Sequence, residues 1–283
     1  MSAAYLTVTC RLPASAEEQL ASALERWPVL GCQVENAGHE VDVTVFIGAA
    51  EAGAVLGVCE GLLALGAREL GTGHFAEEDW LAEFRRHATP LPIGTLFWVD
   101  PHPGAPTRPR DDRVHLLIEP RQAFGSGSHE STQLVLLALE DLPVAGRAVL
   151  DVGTGSGILA LASRALGASL VVALDIDLEA VCIAHQTAAA QLQRWPVSLF
   201  AGSTAALRPR PFFDLVLANL IPSEVHPLLA DLRGLLAPCG FLVLSGLMAD
   251  QRAAVEAELD ESGLEVRKTR ELQEWVAVTC AAR

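Results

Sequence analysis

Lysine is almost missing from this chain: Lys268 is the only one among 20 lysine and arginine residues in 283 positions. That scarcity reads as a compositional preference for arginine. Aromatic residues make up 5% and tyrosine occurs once, so aliphatic side chains and alanine must fill most of the core; the 51% hydrophobic content is enough for one. The six cysteines (Cys10, Cys32, Cys59, Cys182, Cys239 and Cys280) contain no C-x-x-C pair. This excludes the usual zinc and redox spacings and leaves them as small apolar residues of a reducing compartment. No metal site is expected. No apolar run reaches membrane-spanning length, because AVLGVCEGLLALGA is broken by Glu60. The start, MSAAYLTVTCRL, alternates polar and apolar residues without a basic leader, so no secretion signal and a cytoplasmic location are expected. Positive charge is also scarce. A net charge of −15 disfavours nonspecific nucleic-acid binding, which needs clustered Lys and Arg. It favours a basic partner through long-range steering.

The length, 283 residues, suggests one large domain or two smaller ones. The pattern divides the chain at 1–74, 75–112 and 113–283. The first segment reads strand, helix, strand, strand, helix, and a final strand would complete a ferredoxin-like βαββαβ unit. Residues 1–70 carry nine Asp or Glu against three Arg and no catalytic spacing, so this part reads as a recognition or docking module. EEDWLAEFRRH (77–87) reads as a connecting helix, and a Pro-rich stretch follows with short strands at TLFWV and RVHLLIEP. From about 145 the chain alternates strictly. AVLDV, LVVALDI, VSLFA, DLVLAN and GFLVLSG are strands apolar on both faces, separated by helices starting near Ser156, Leu178 and Pro222. The end reads as an antiparallel pair after a helix at 249–261. The expected fold is α/β: a doubly wound, mostly parallel sheet with a reversed C-terminal strand, preceded by the small α+β unit.

Three strand ends carry chemistry. VLDVGTGSGILA places Gly153, Gly155 and Gly157 at the end of the first strand. There glycine lets a ligand approach the backbone, and the next helix presents unpaired N–H groups. Gly155, Gly157 and Ala160 also fit the G-x-G-x-x-A dinucleotide fingerprint. Asp175 ends the second strand, 22 residues after Gly153. A carboxylate there can accept two ribose hydroxyls of NAD or of S-adenosylmethionine, whereas Asp177 suits a helix cap. Asp151, just before the glycines, suits a cofactor with a cationic ammonium and sulfonium better than a pyrophosphate. Asn219 ends the fourth strand with one acceptor and two donors, and with the Leu220 carbonyl it is placed to orient an amine nucleophile. Ahead of all these lies FGSGSHEST (124–132), another glycine-rich run opening a helix.

Taken together, AFGSGSHEST, VLDVGTGSGILA, ALDID, LVLANLIPSE and GFLVLSGL resemble the class I S-adenosylmethionine-dependent methyltransferases. More narrowly the chain resembles the PrmA family, methyltransferases of the eleventh large-subunit ribosomal protein. The resemblance covers most of the chain, and its specificity lies in the combination of FG-x-G-x-H-x-x-T, the three-glycine turn and the Ala-Asn of strand four. It implies cofactor contacts at Thr132, Gly153, Asp175 and Asn219. It also implies that FGSGSHEST, with Phe124 and His129, packs against S-adenosylmethionine. It implies that the N-terminal unit binds the substrate protein on a swinging linker, and that lysine side chains and the N-terminal amine are methylated. Departures from the family pattern are Ser126, Ser128, Glu130 and Thr154. Leu-Ile-Pro after Asn219 differs from the Pro-Pro-Tyr of enzymes acting on planar amides and nucleobase amines.

The chemistry expected is an in-line displacement governed by positioning and desolvation. A lysine near its ordinary pKa of about 10.4 must lose its proton first, and burial beside a sulfonium favours that loss. No dedicated general base is evident; His129 is a candidate, although packing in the glycine loop suits it better. The expected catalytic residues are therefore Asn219 and Leu220. The expected protein acts as a monomer on a basic ribosomal protein, without a membrane or sequence-specific nucleic acid. The alternatives are an NAD-dependent oxidoreductase using the same glycine turn and a methyltransferase with a non-ribosomal acceptor.

Overall fold

A computed structural model describes residues 4–24, 26–38, 40–76, 88–107, 112–121, 125–208 and 210–282. The expected connecting helix at 77–87 and Phe124 lie outside the described residues. The chain forms two compact units, residues 1–86 and 87–283.

In the first unit, β1 (Ala4–Pro13), α1 (Glu17–Leu24), β2 (Gly31–Ala37), β3 (Glu40–Gly48), α2 (Val55–Ala64) and β4 (Arg68–Ala76) follow the βαββαβ order. The sheet order is β2-β3-β1-β4 with all neighbours antiparallel. Period-two patterning decides which face is covered. Val8, Cys10, Leu12, Val41, Val43, Val45 and Ile47 turn inward and pack with Leu20, Val58 and Leu62 of the two helices. Tyr5, Thr7, Thr9, Thr44 and Phe46 alternate with them on the opposite face, around a depression of about 820 Å³.

The second unit opens with a three-stranded sheet of β5 (Leu91–Ile93), β6 (Phe97–Asp100) and β7 (Val114–Leu117). β5 and β6 are antiparallel, and β6 and β7 parallel. The turn between β5 and β6 is pinned by Glu140, whose carboxylate accepts from Thr95 N–H at 2.9 Å and Leu96 N–H at 2.7 Å. Glu140 belongs to α3 (Glu130–Asp141), so the small sheet is tied to the helix that begins the main layer.

The main sheet contains β8 (Ala148–Val152), β9 (Leu170–Asp175), β10 (Ser198–Ala201), β11 (Phe213–Asn219), β12 (Leu236–Met248), β13 (Leu264–Leu272) and β14 (Trp275–Ala282). Its order is β10-β9-β8-β11-β12-β14-β13. The first five strands in that order run parallel, and β14 is antiparallel to both its neighbours. The remaining helices are α4 (Ile158–Ala165), α5 (Leu178–Ala190), α6 (Pro222–Val225), α7 (Leu229–Leu235) and α8 (Arg252–Glu261). Both faces are covered, which is why the strands are apolar throughout. One face packs Val149, Val171, Ala173, Leu215 and Leu217 under α3, α4 and the small sheet. The other packs Leu150, Val152, Val216, Leu242 and Leu244 under α6, α7 and α8. Among the described residues no helix is long and apolar enough to cross a membrane.

Candidate functional site

Strand alternation sets the site. Asp151 continues the face of Val149, Asp175 that of Val171 and Ala173, and Asn219 that of Leu215 and Leu217. Three polar groups at neighbouring strand ends therefore share one face of the sheet, at the carboxyl edge where open α/β sheets bind ligands. β8 and β11 divide there, with β9 beyond β8 and β12 beyond β11.

The turn after β8 is held by two N–H donors: Gly153 and Thr154 both donate to the Leu174 carbonyl, at 2.9 and 3.0 Å. Gly153 adopts φ +71°, and a Cβ there would meet Leu220 Cδ2 at 2.5 Å. Glycine is thus required both for the turn and for the approach of Leu220. The Asp175 carboxylate is oriented by Gly155 N–H on Oδ2 and Asp177 N–H on Oδ1, each at 3.0 Å. Asp177 in turn caps α5, accepting from Glu179 N–H at 2.8 Å.

The second glycine run folds onto the first. Ser156 Oγ donates to the Gly125 carbonyl at 2.6 Å, and a Cβ on Gly127 would meet Val99 Cγ1 at 2.8 Å. His129 is the N-cap of α3, its ring accepting from Ser131 N–H. Its ring also meets Trp275 edge to face, with centroids 4.6 Å apart.

These elements enclose a cavity of about 620 Å³ whose wall includes His129, Gly153, Gly155, Asp175, Asn219 and Leu220, a volume typical of small-ligand sites. Thr132 and Asp151 stand outside that wall, both fully buried. Thr132 Oγ1 accepts from Asn219 Nδ2 at 3.2 Å. That bond turns Asn219 Oδ1 the other way, where it is buried and meets no donor from the protein. Asp151 Oδ2 accepts from Thr154 Oγ1 at 2.7 Å and Ala160 N–H at 3.2 Å, while Oδ1 is also without a donor.

Sequence reasoning does not single out Trp275, Gly246, Ser203 or Thr204, all of which line the cavity. Ser203 and Thr204 follow β10 and fall under the same strand-end rule, a signal that was available. Gly246 adopts φ +85°, and a Cβ there would lie 2.6 Å from the Leu220 carbonyl oxygen. Only glycine lets the segment after β11 settle against β12, where Leu220 N–H donates to the Ser245 carbonyl at 3.0 Å.

Burial raises the Asp151 pKa to about 7; the Thr154 hydroxyl and Ala160 N–H oppose the rise, and the Asp175 charge adds to it. Between its ordinary value and about 7 the folded chain therefore holds a proton that the unfolded chain has released. In that window stability falls as pH rises, by at most about 1.4 kcal/mol per unit, and levels off above it. Asp151→Asn is expected to remove this slope, so that the urea midpoints of the two proteins draw together towards about pH 4 and separate most by pH 8. Parallel curves for the two proteins would show that the carboxyl does not titrate there.

A family model described as ribosomal protein L11 methyltransferase (PrmA) matches residues 4–283. Two relatives named ribosomal protein L11 methyltransferase were compared. The one from Geobacter metallireducens is 38% identical over 204 residues, 70% of this chain and 64% of that protein. The one from Pelobacter propionicus is 39% identical over 207 residues, 71% of this chain and 66% of that protein. The chain thus spans just under two thirds of the length of these relatives. The crystal structure of a ribosomal protein L11 methylase from Lactobacillus delbrueckii subsp. bulgaricus has a TM-score of 0.64 and 28% identity, covering 69% of this chain and all of that one (100%).

Proposed function

The chain belongs to the ribosomal protein L11 methyltransferase (PrmA) family, and from that premise we propose that it transfers methyl groups from S-adenosylmethionine to lysine side-chain and N-terminal amines of ribosomal protein L11 in the cytoplasm. One observation carries this reading above the others: Asn219, which lines the cavity, is fixed by Thr132 and has a buried Oδ1 without a donor. A buried acceptor left unpaired is unfavourable by about 1–3 kcal/mol, and an acceptor amine supplies the N–H that relieves it.

The residues fit the cofactor. Asp175, oriented by two backbone N–H groups, would accept the ribose hydroxyls. The Gly153–Gly155 turn leaves room for the methionine portion, and Asp151, buried with its Oδ1 lacking a donor, would give up its proton more readily beside a cationic ammonium. The bound cofactor supplies an activated methyl group on a sulfonium. Asn219, fixed by Thr132, and the Leu220 carbonyl hold the amine so that its lone pair points along the line of displacement. With the cofactor bound, the chemistry available would be displacement at its methyl carbon by the neutral amine with a thioether as leaving group, and the proton of the methylated amine would pass to water.

The first unit serves as the docking module for L11. Its charge supports this: Arg11 is engaged by Asp42 at 2.8 Å and by Glu69 at 3.5 Å, and Arg68 lies 3.8 Å from Glu40. These cations are neutralised and the surplus of carboxylates remains. The open face of the sheet around Tyr5, Thr7 and Phe46 offers uncharged contact area beside that surplus. Electrostatic steering then predicts an association rate for L11 that falls several-fold between low and physiological salt; a salt-independent rate in stopped-flow mixing would remove charge from the account. The function as a whole is tested by mixing the purified chain with methyl-labelled S-adenosylmethionine and large-subunit proteins from a strain lacking the enzyme. Label in L11 is expected, and label in no protein would sink the proposal.

A further inference from the structure

The ladder between β12 and β14 is interrupted at one step. Leu244 faces Val278 and Leu247 faces Val276, three residues along β12 against two along β14. This is a β-bulge, which re-aims a side chain and is common beside active sites. It falls on Ser245 and Gly246. Ser245 continues the face of Val243, is the registered partner of Asn219 on β11 and is fully buried. Its hydroxyl has one proton and two carbonyls within reach. It donates to the Ser131 carbonyl at 3.0 Å, and the Val276 carbonyl lies 3.2 Å away. The first acceptor belongs to the opening turn of α3 and the second to β14, so one buried side chain pins the start of α3 against the bulge. The pin sits one residue before Thr132, whose Oγ1 accepts from Asn219 Nδ2. Among the described residues that bond alone orients the amide, since Oδ1 meets no donor. The plane of the amide therefore follows from where Thr132 stands, and Thr132 from where Ser131 is held. The Ser245 carbonyl serves the neighbouring group, accepting from Leu220 N–H.

Resting on the proposed methyl transfer, we infer that Ser245 is a further positioning residue for it: through Ser131 and Thr132 its hydroxyl fixes the angle of the Asn219 amide, and with it the line along which the acceptor amine is presented. Ser245 is not part of the cavity wall, so it touches neither cofactor nor acceptor and acts only through its partners. An in-line displacement is sensitive to such alignment; a misplacement of about 1 Å that originates away from the chemistry can slow a reaction about a hundredfold. Without the hydroxyl the first turn of α3 is free to shift by part of that distance. The ribose end, on β9 beyond β8, does not depend on this pin.

The test uses the full chain, S-adenosylmethionine and unmethylated L11. Ser245→Ala is expected to lower kcat roughly tenfold, with the KM for L11 and the calorimetric affinity for S-adenosylmethionine each changed less than about twofold. Intact cofactor binding reports that the variant is folded. The decisive arm is the double variant. Added to Asn219→Ala, the same change is expected to cost less than about a further twofold in kcat, because both substitutions act through one amide. A merely structural role would slow both backgrounds alike. Ser245→Thr and Ser245→Val share a shape and differ in the hydroxyl, so the threonine variant is expected to turn over about tenfold faster than the valine variant. That pair decides the matter should the alanine variant lose cofactor binding. An unchanged kcat in Ser245→Ala, equal slowing in both backgrounds, or equal rates for the threonine and valine variants overturns the assignment. Failure of the wild-type protein to methylate L11 would instead overturn the proposed function on which it rests.

Discussion

Asn219→Ala is expected to lower kcat by about a hundredfold or more, the scale seen when one preorganised polar group at a reacting centre is removed, and to leave the fold intact. The two effects separate because of how this side chain is bonded. Its Nδ2 donates to Thr132 Oγ1, and its Oδ1 is buried with no protein donor. The first bond fixes the amide plane; the second atom waits for a donor and is unfavourable until one arrives. Alanine removes the positioning of the amine, and with it the alignment that an in-line displacement depends on. It also removes a donorless buried oxygen, so stability in urea is expected to hold within about 1 kcal/mol or to rise. Steady-state kinetics with L11 alongside denaturation of the same preparation makes the check. A variant with full turnover, or one that loses activity only because it unfolds, contradicts the orienting role.

Asp175→Ala is expected to weaken S-adenosylmethionine binding by at least about a hundredfold, since two hydrogen bonds to a carboxylate at about 1.5–3 kcal/mol each are lost. The geometry makes this residue difficult to replace. Its two oxygens are already held by Gly155 and Asp177 N–H groups, so the carboxylate is oriented before any ligand enters. Each oxygen retains a lone pair for a hydroxyl. Removal also frees Gly155 N–H and loosens the turn that carries it, so the loss is not confined to the ribose. Asp175→Asn is expected to fall between alanine and the wild type. Isothermal titration measures all three proteins, and the same wild-type sample is expected to give no heat with NADH. An Asp175→Ala protein that binds S-adenosylmethionine as tightly as the wild type would move the ribose elsewhere in the cavity.

Local chemistry made part of this site legible in advance. Gly153 stands at the end of an apolar strand, Asp175 at the expected interval and Asn219 two strands across, each identifiable from spacing and strand-end position. The alternation that buries Val149 and Val171 also puts Asp151 and Asp175 on the same face as Asn219. What spacing did not reveal was which polar groups reach the cavity and which support from behind. Thr132 and Asp151 are both fully buried, Thr132 where α3 meets Asn219 of β11 and Asp151 under the start of α4, from whose Ala160 N–H it accepts, and that depends on helix packing. Trp275 was not legible at all. It comes to the cavity because β14, the reversed C-terminal strand that the pattern did predict, pairs between β12 and β13, and because His129 meets it from another element; the pattern did not say that the first residue of that strand lines the site. The small sheet of β5, β6 and β7 was visible only as short strands; its pairing pattern, antiparallel then parallel, is imposed by its seat against α3 and α4. Lys268, the only lysine, is engaged with Asp141 at 2.6 Å, so it is held on the surface by a carboxylate at the end of α3.

The most direct measurement is mass spectrometry of L11 after incubation with the purified chain and labelled S-adenosylmethionine, with the modified atoms mapped by fragmentation. The account predicts methyl groups on lysine Nζ atoms and on the N-terminal nitrogen, and none on glutamine amides. Unmodified L11 with label recovered in ribosomal RNA, or methylation confined to non-basic side chains, would contradict it.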